Sequence, residues 1–337
     1  MIHIAGRFLI CAALLVSACT SAPQQRQAPS VTEVKVILFP GGANWPIWTG
    51  VSKGFFRQNG VMPVITATPN SRFQLTGLIA GRFDIAMTAM DNIVAYREGQ
   101  GGIDMDASDL MAVMGGDDGF LRLVGRSDIK NIADFRGKQI SIDSLTTGYA
   151  FVLLEMLERG GLALARDYQT VAAGGVLQRY EALVEGRHAG TLLVSPFEVM
   201  AKARGLNQVA DASASLGNYQ GLVAGVRRSW ARENQARLVG YIRGYQDSLA
   251  WLRDPANREE ALSLFMSNVP GATRQAAEAS YSVLLDPKAG FQQNAEVDKA
   301  GVQTVLNLRQ KYGQPKRTLQ NVGSYYDAEY FDRANKR

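Results

Sequence analysis

The chain is poor in the side chains that most enzymes use for chemistry. Its 337 residues hold two cysteines, Cys11 and Cys19, and two histidines, His3 and His188. At most one disulfide can form, so a disulfide-stapled scaffold is excluded. A Cys/His zinc centre lacks the ligands it needs. A run of basic residues is also missing: the net charge of +5 is spread among acidic neighbours, which points away from nucleic-acid binding. No GxxxxGK[ST] loop is present, so nucleotide binding through that device is excluded. What remains is ordinary globular material. With 46% apolar and 20% charged residues, wholesale disorder is excluded, and the length suits about two domains.

The N-terminus differs from the rest. Arg7 precedes the apolar stretch Phe8 to Ala18 (FLICAALLVSA), too short to span a bilayer and suited to a signal-peptide core. It ends in Val16-Ser17-Ala18-Cys19, which resembles the bacterial lipobox, where the cysteine becomes the lipidated first residue. Residues 1–18 are therefore read as a lipoprotein signal peptide and Cys19 as the lipidation site, the alternative being plain cleavage after Ala18. Thr20 to Ser30 (TSAPQQRQAPS) is polar and proline-containing, which makes residues 19–30 a flexible tether. After such processing Cys19 is acylated and His188 is the one imidazole left, which removes the usual thiolate nucleophile and leaves little for a triad.

Downstream, strands alternate with helices. Glu33–Phe39, Val61–Ala67 and Asp84–Thr88 read as strands; Trp48–Gln58 and Arg72–Ala80 read as helices closed by Gly60 and Gly81. The pattern recurs with strands at Lys138–Asp143, Tyr168–Ala172 and Thr191–Val194, and helices at Gly148–Glu158, Val176–Val184 and Glu198–Ala203. Leu78 to Arg82 aligns with Leu183 to Arg187 at an offset of 105, a faint repeat that chance also explains. The alternation argues for parallel sheets covered by helices. From Arg227 onward the texture is helical, with runs at Ser229–Arg253, Asn257–Ser267, Ala272–Leu284 and Ala295–Tyr312, and this tail is expected to pack on one lobe.

Four segments carry a resemblance. Pro46-Ile47-Trp48 through Lys53-Gly54-Phe55-Phe56 is similar to a first helix ending in Gly-Phe-Phe. Leu78 through Gly81-Arg82-Phe83-Asp84-Ile85-Ala86 resembles a helix-Gly-x-x-Asp-hydrophobic-Ala signature. Ile132 to Lys138 resembles a Leu-x-Asp-Leu-Lys-Gly-Lys run opening a second lobe, and Tyr325-Tyr326-Asp327 an aromatic-Asp element near a C-terminus. Together, over Val34 to Ala334, they resemble the bacterial ABC-transporter solute-binding proteins for sulfonates, nitrate and thiamine-precursor pyrimidines. The second repeat departs from the pattern, with Ala189 at its Asp position, and the first loop carries Asn44-Trp45 in place of an alcohol-rich turn.

The resemblance implies a type II periplasmic-binding-protein fold: two α/β lobes, a ligand cleft between them, and a helical C-terminal extension on lobe one. Lobe one would be 31–124 plus 218–337 and lobe two 125–217, with crossovers near Ser127-Asp128 and Leu216-Gly217-Asn218. It implies a non-enzyme without cofactor or metal, held at the periplasmic or cell-surface side by its lipid. This monomer would hand a small organic solute to an ABC permease and its ATPase. An enzyme of the thiamine-pyrimidine type on the same fold, or a ligand-sensing lipoprotein, stays open.

Ligands of open α/β sheets sit beyond the carboxyl ends of the strands. Those ends supply Asn44 and Trp45; Asn70, Ser71 and Arg72; and Thr88, Met90 and Asp91 from lobe one. Lobe two supplies Ser144, Thr146, Thr147, Gly148 and Tyr149, then Gly174 and Gly175, then Ser195 and Phe197. Ser144 to Gly148 opens a helix, where free N–H groups favour an anion; capping by Thr146 or Thr147 is the alternative. Trp45 and Phe197 are candidate stacking walls or core residues. Arg72 is a candidate acid partner or a solvated helix start, and Asp91 an amine partner or an N-cap.

Overall fold

Ten strands form two five-stranded mixed sheets in the computed structural model, which describes residues 1–2 and 31–336. The signal-peptide, Cys19 and tether readings fall at residues outside those described. The strands are β1 (Thr32–Leu38), β2 (Val61–Ala67), β3 (Ile85–Ala89), β4 (Leu110–Gly115), β5 (Arg122–Gly125), β6 (Gln139–Ile142), β7 (Gln169–Ala172), β8 (Gly190–Leu193), β9 (Asn207–Asp211) and β10 (Leu222–Arg227). The first sheet runs β2-β1-β3-β10-β4 and the second β7-β6-β8-β5-β9. In each, four strands run parallel and one, inserted between the third and the edge strand, is antiparallel to both its neighbours. β1 can occupy an interior position between β2 and β3 because Val34, Val36, Ile37 and Leu38 are all buried. β2 sits at the edge, where Pro63 costs no ladder bond.

The inserted strands move one expected boundary. β5 pairs with β8 and β9, so it belongs to the second half, and the chain crosses over at 116–121, not near Ser127-Asp128. Its four residues look like a continuation of the β4 region in sequence, and its partners lie more than sixty residues downstream. The return crossover, at 212–221, contains the expected Leu216-Gly217-Asn218. Two expected helices are each split. Gly54, at φ 76°, separates Trp45–Ser52 from Phe55–Gln58, and Asn234 separates Arg228–Glu233 from Gln235–Arg253.

The return segment covers the first sheet. The long helix Gln235–Arg253 packs against Trp45–Ser52, Phe55–Gln58 and the C-terminal helix Glu329–Asn335. Its Gly240 and Gly244 allow this approach. A Cβ at Gly244 would lie 2.4 Å from the Phe56 ring, which stacks on Tyr241 at 5.2 Å.

One helix of the extension, Lys299–Tyr312, also reaches the second half. It packs between Met90–Arg97 of the first half and Gly148–Arg159 of the second. Arg309 is fully buried there. It pairs with the buried Asp91 (Nε to Oδ1 2.7 Å), donates to the Thr146 carbonyl at 2.7 Å and to Gln100 Oε1 at 3.1 Å, and lies over the Phe151 ring. At its outer end Lys311 and Tyr312 each donate to Glu155 Oε2 at 2.8 Å.

Removing one member of a buried, hydrogen-bonded ion pair strands the other charge, at about 3–5 kcal/mol. Arg309→Met is therefore expected to lower stability to urea by about that much. Asp91→Ala combined with Arg309→Met should cost clearly less than the sum of the two single changes. Additive losses in urea denaturation would show that the two side chains do not act as a pair.

Candidate ligand-binding site

The carboxyl ends of both parallel strand sets face one another across a cavity of about 80 Å³. On the first-half side its lining comes from the loop after β1 (Phe39 to Asn44), from Ser71, and from the end of β3 with Asn92. On the second-half side it comes from Asp143, from Thr147-Gly148-Tyr149, and from Val176, Arg179 and Val194. Asp117, Phe120 and Leu222 line it at the crossovers. A more open space of about 280 Å³ adjoins it, sharing Ser71, Asp143 and Thr147 and adding Asn70, Arg72, Ser144, Thr146 and Gly174.

The two halves are closed on each other at this cavity. Asp143, just after β6, accepts from the Ser71 amide (3.1 Å) and hydroxyl (2.5 Å), so a carboxylate of one half caps a helix of the other. Two backbone bonds flank it: Gly42 N–H donates to the Ser195 carbonyl and Gly175 N–H to that of Pro69, both at 2.9 Å.

The anion-favouring features lie on the second half. The N-cap residue Thr147 makes no side-chain cap to the helix Gly148–Arg159, because its hydroxyl donates back to the Ser144 carbonyl at 2.8 Å. That overturns the capping alternative and leaves the helix start facing the cavity. Arg179 is 4% exposed, and its guanidinium donates to the carbonyls of Gly174 (3.0 Å) and Leu192 (3.3 Å). Among the described residues no carboxylate lies within ion-pair distance of it. Burial lowers its pKa, opposed by the Asp143 charge and the Tyr149 hydroxyl. The opposite wall is neutral and polar: Asn92 donates to Thr88 Oγ1 at 2.9 Å, and its own Oδ1 is buried with no partner among the described residues. Phe39, Phe120, Met87 and Leu222 supply apolar surface.

Of the sequence-derived residues, Asn44, Thr88, Thr147, Gly148 and Tyr149 line the main cavity, and Asn70, Arg72, Ser144, Thr146 and Gly174 line the adjoining space. The others lie elsewhere. Trp45 is fully buried against Phe265 (ring centroids 4.5 Å apart) and Tyr281, because its helix turns the indole into the first half's core. Phe197 packs on Tyr180 in the second half's core. Met90 is core, and Asp91 is spent on Arg309. Ser195 is buried with its hydroxyl on Glu198, and Gly175 is a backbone junction whose bare Cα lets Phe39 pass. Arg72, at the rim of the adjoining space, is exposed and donates to the Gly102 carbonyl at 2.7 Å.

Strand ends alone do not reveal Arg179, Asp143 or Asp117. Arg179 had a signal: Val176, Arg179, Tyr180 and Leu183 share one helix face, so a charge sits on an apolar stripe. Asp143 closes the strand read at 138–143, so in sequence it counts as strand and not as the loop beyond it. Asp117, in a glycine-rich crossover, had none.

A family model described as "NMT1/THI5 like" matches residues 44–258. The chain belongs to the NMT1/THI5-like family. The matched span covers most of the cavity lining, leaving out Phe39 to Ala43. No curated protein matches the chain. Among solved structures it is similar to the periplasmic nitrate-binding protein NrtA from Synechocystis PCC 6803, at 13% identity and TM-score 0.75, over 92% of this chain and 90% of that one. It is similar to the alkanesulfonate-binding protein SsuA from Xanthomonas axonopodis pv. citri, bound to MOPS, at 16% identity and TM-score 0.69, over 89% and 99%. A zinc-bound ligand-binding component of an ABC-type import system from Staphylococcus aureus aligns at 13% identity and TM-score 0.71, over 91% and 100%. The fold is thus that of the periplasmic binding proteins, as expected from the sequence.

Trp45→Ala separates core from site. Truncating a fully buried aromatic costs about 3–5 kcal/mol, so the variant should melt well below wild type yet bind ligand unchanged at 20 °C. Calorimetric titration showing lost affinity in the still-folded variant would return Trp45 to the site.

Proposed function

We propose that the protein is the solute-binding component of an ABC importer, closing its two halves around a small organic acid, sulfonate-like or aromatic, for delivery to a membrane permease. The observation that carries this reading is Arg179: a buried guanidinium with no carboxylate within ion-pair distance among the described residues, lining a cavity between the two halves. A buried unpaired cation is unfavourable. An acid group supplies the missing charge, and the uncapped start of Gly148–Arg159 adds N–H donors. Phe39 and Phe120 give the non-polar part of the solute an apolar wall. The cavity is compact, so the solute is small. Asp143 and Ser71 latch the halves once it is enclosed. Family membership and the ABC-import neighbours support the same reading.

Catalysis of the thiamine-pyrimidine kind has little support here. No cysteine occurs among the described residues, and His188 lines neither cavity. A membrane tether through Cys19 completes the proposal.

The experiment is a thermal-shift panel of alkanesulfonates, carboxylates, aromatic acids, pyrimidines and nitrate on the purified chain. A ligand bound by the folded state alone raises the melting temperature by mass action. An acid should do so, return chemically unchanged, and lose about thirtyfold or more in affinity with Arg179→Met. An acid that binds that variant as well as wild type, or one that returns altered, would sink the reading. For the tether, mass spectrometry of membrane-extracted protein should find a mature N-terminus at an acylated Cys19, and Cys19→Ala should release the protein to the soluble fraction.

A further inference from the structure

The cavity holds a second buried charge that the acid-binding reading does not use. Asp117 is 4% exposed and lines the cavity where the two crossovers meet. Its Oδ1 accepts from the Gly119 amide (2.8 Å) on one crossover and from the Leu222 amide (3.1 Å) at the end of the other. Its own carbonyl accepts from the Gly221 amide and from Gln220 Nε2. Tying the crossovers together therefore needs one carboxylate oxygen and no charge. Oδ2 has no donor among the described residues, and no cation lies within ion-pair distance.

Resting on the acid-binding reading, we propose that Asp117 is the second pole of the site: it accepts a hydrogen-bond donor, best an ammonium or amino group, from a ligand whose acid end lies at Arg179. The solute is then amphoteric, a compact amine-bearing acid. Tyr149 lines the same cavity as both poles, and its hydroxyl pKa is raised chiefly by burial, further by Asp117, and opposed by Arg179. A ligand donor at Oδ2 bears directly on the residue that joins the crossovers, so it engages the hinge itself.

The ionisable groups facing Asp117 are Asp118 beside it and the buried phenols of Tyr149, Tyr219 and Tyr245. None is a cation, and burial pushes the Asp117 carboxyl up to about 6. Deprotonation above that value should favour an ammonium ligand, and protonation below it should disfavour one.

The test is calorimetric titration of the full chain with short ω-amino sulfonates and amino carboxylates, each beside a counterpart with methyl in place of the amino group. Wild type should prefer the amine-bearing member by about tenfold or more. Its affinity should rise up to about tenfold between pH 5 and 7, while the methyl counterpart shows no such rise. Asp117→Asn keeps the Oδ1 tie and should remove both the preference and the pH dependence. Equal affinity for the paired ligands, or an unchanged preference in Asp117→Asn, overturns the second pole and leaves the acid-binding reading intact. If no acid of either kind binds, both readings fall. The wild-type pH profile decides the matter even if the variant does not fold.

Discussion

A guanidinium with no access to water sets the geometry of the cavity. Arg309 comes from the C-terminal extension, pairs with Asp91 in the first turn of the helix after β3, and ends on the carbonyl of Thr146 in the second half. Its charge is tolerable only while all these partners stay in place. The turn at 144–148 is consequently held at one height above the cavity floor. Gly148 is bare because Asp91 passes beneath it: a Cβ there would lie 2.3 Å from that of Asp91. The helix start that faces the cavity is therefore positioned from behind by a charge pair packed against Gly148 and bonded to the Thr146 carbonyl.

On this frame the site divides its labour. The second half supplies the cation and the free helix start. The first half supplies hydroxyl and amide groups from Thr88 and Asn92, and much of the apolar wall. The crossovers supply Asp117. Latching is left to Asp143, whose carboxylate sits on Ser71 at the edge of the cavity. Closure and recognition thus use different carboxylates.

Much of this was legible in the chain. Strand and helix periodicity located β1 to β3, β6 to β8 and most helices, and the strand-end rule brought in Thr88 and the 147–149 turn. What escaped depends on long-range pairing or on side-chain direction. β5 and β10 are short apolar segments whose membership is settled only by partners far along the chain. Trp45 and Phe197 have the chemistry of stacking walls, yet each starts a helix that aims its ring inward. Arg179 lies a full turn inside its helix, out of reach of a rule that reads only loops. Asp91 carries no mark in sequence of a partner 218 residues away.

The exchanged strands also impose an order on synthesis. Every strand of the second sheet lies within 122–211, an uninterrupted stretch. The first sheet needs β10, which is not made until the chain has passed Arg227, and its cover of helices comes later still. A chain emerging from its N-terminus therefore holds a complete second half while the first still lacks its fourth strand. The half that is begun first is finished last, with the other already formed inside its loop.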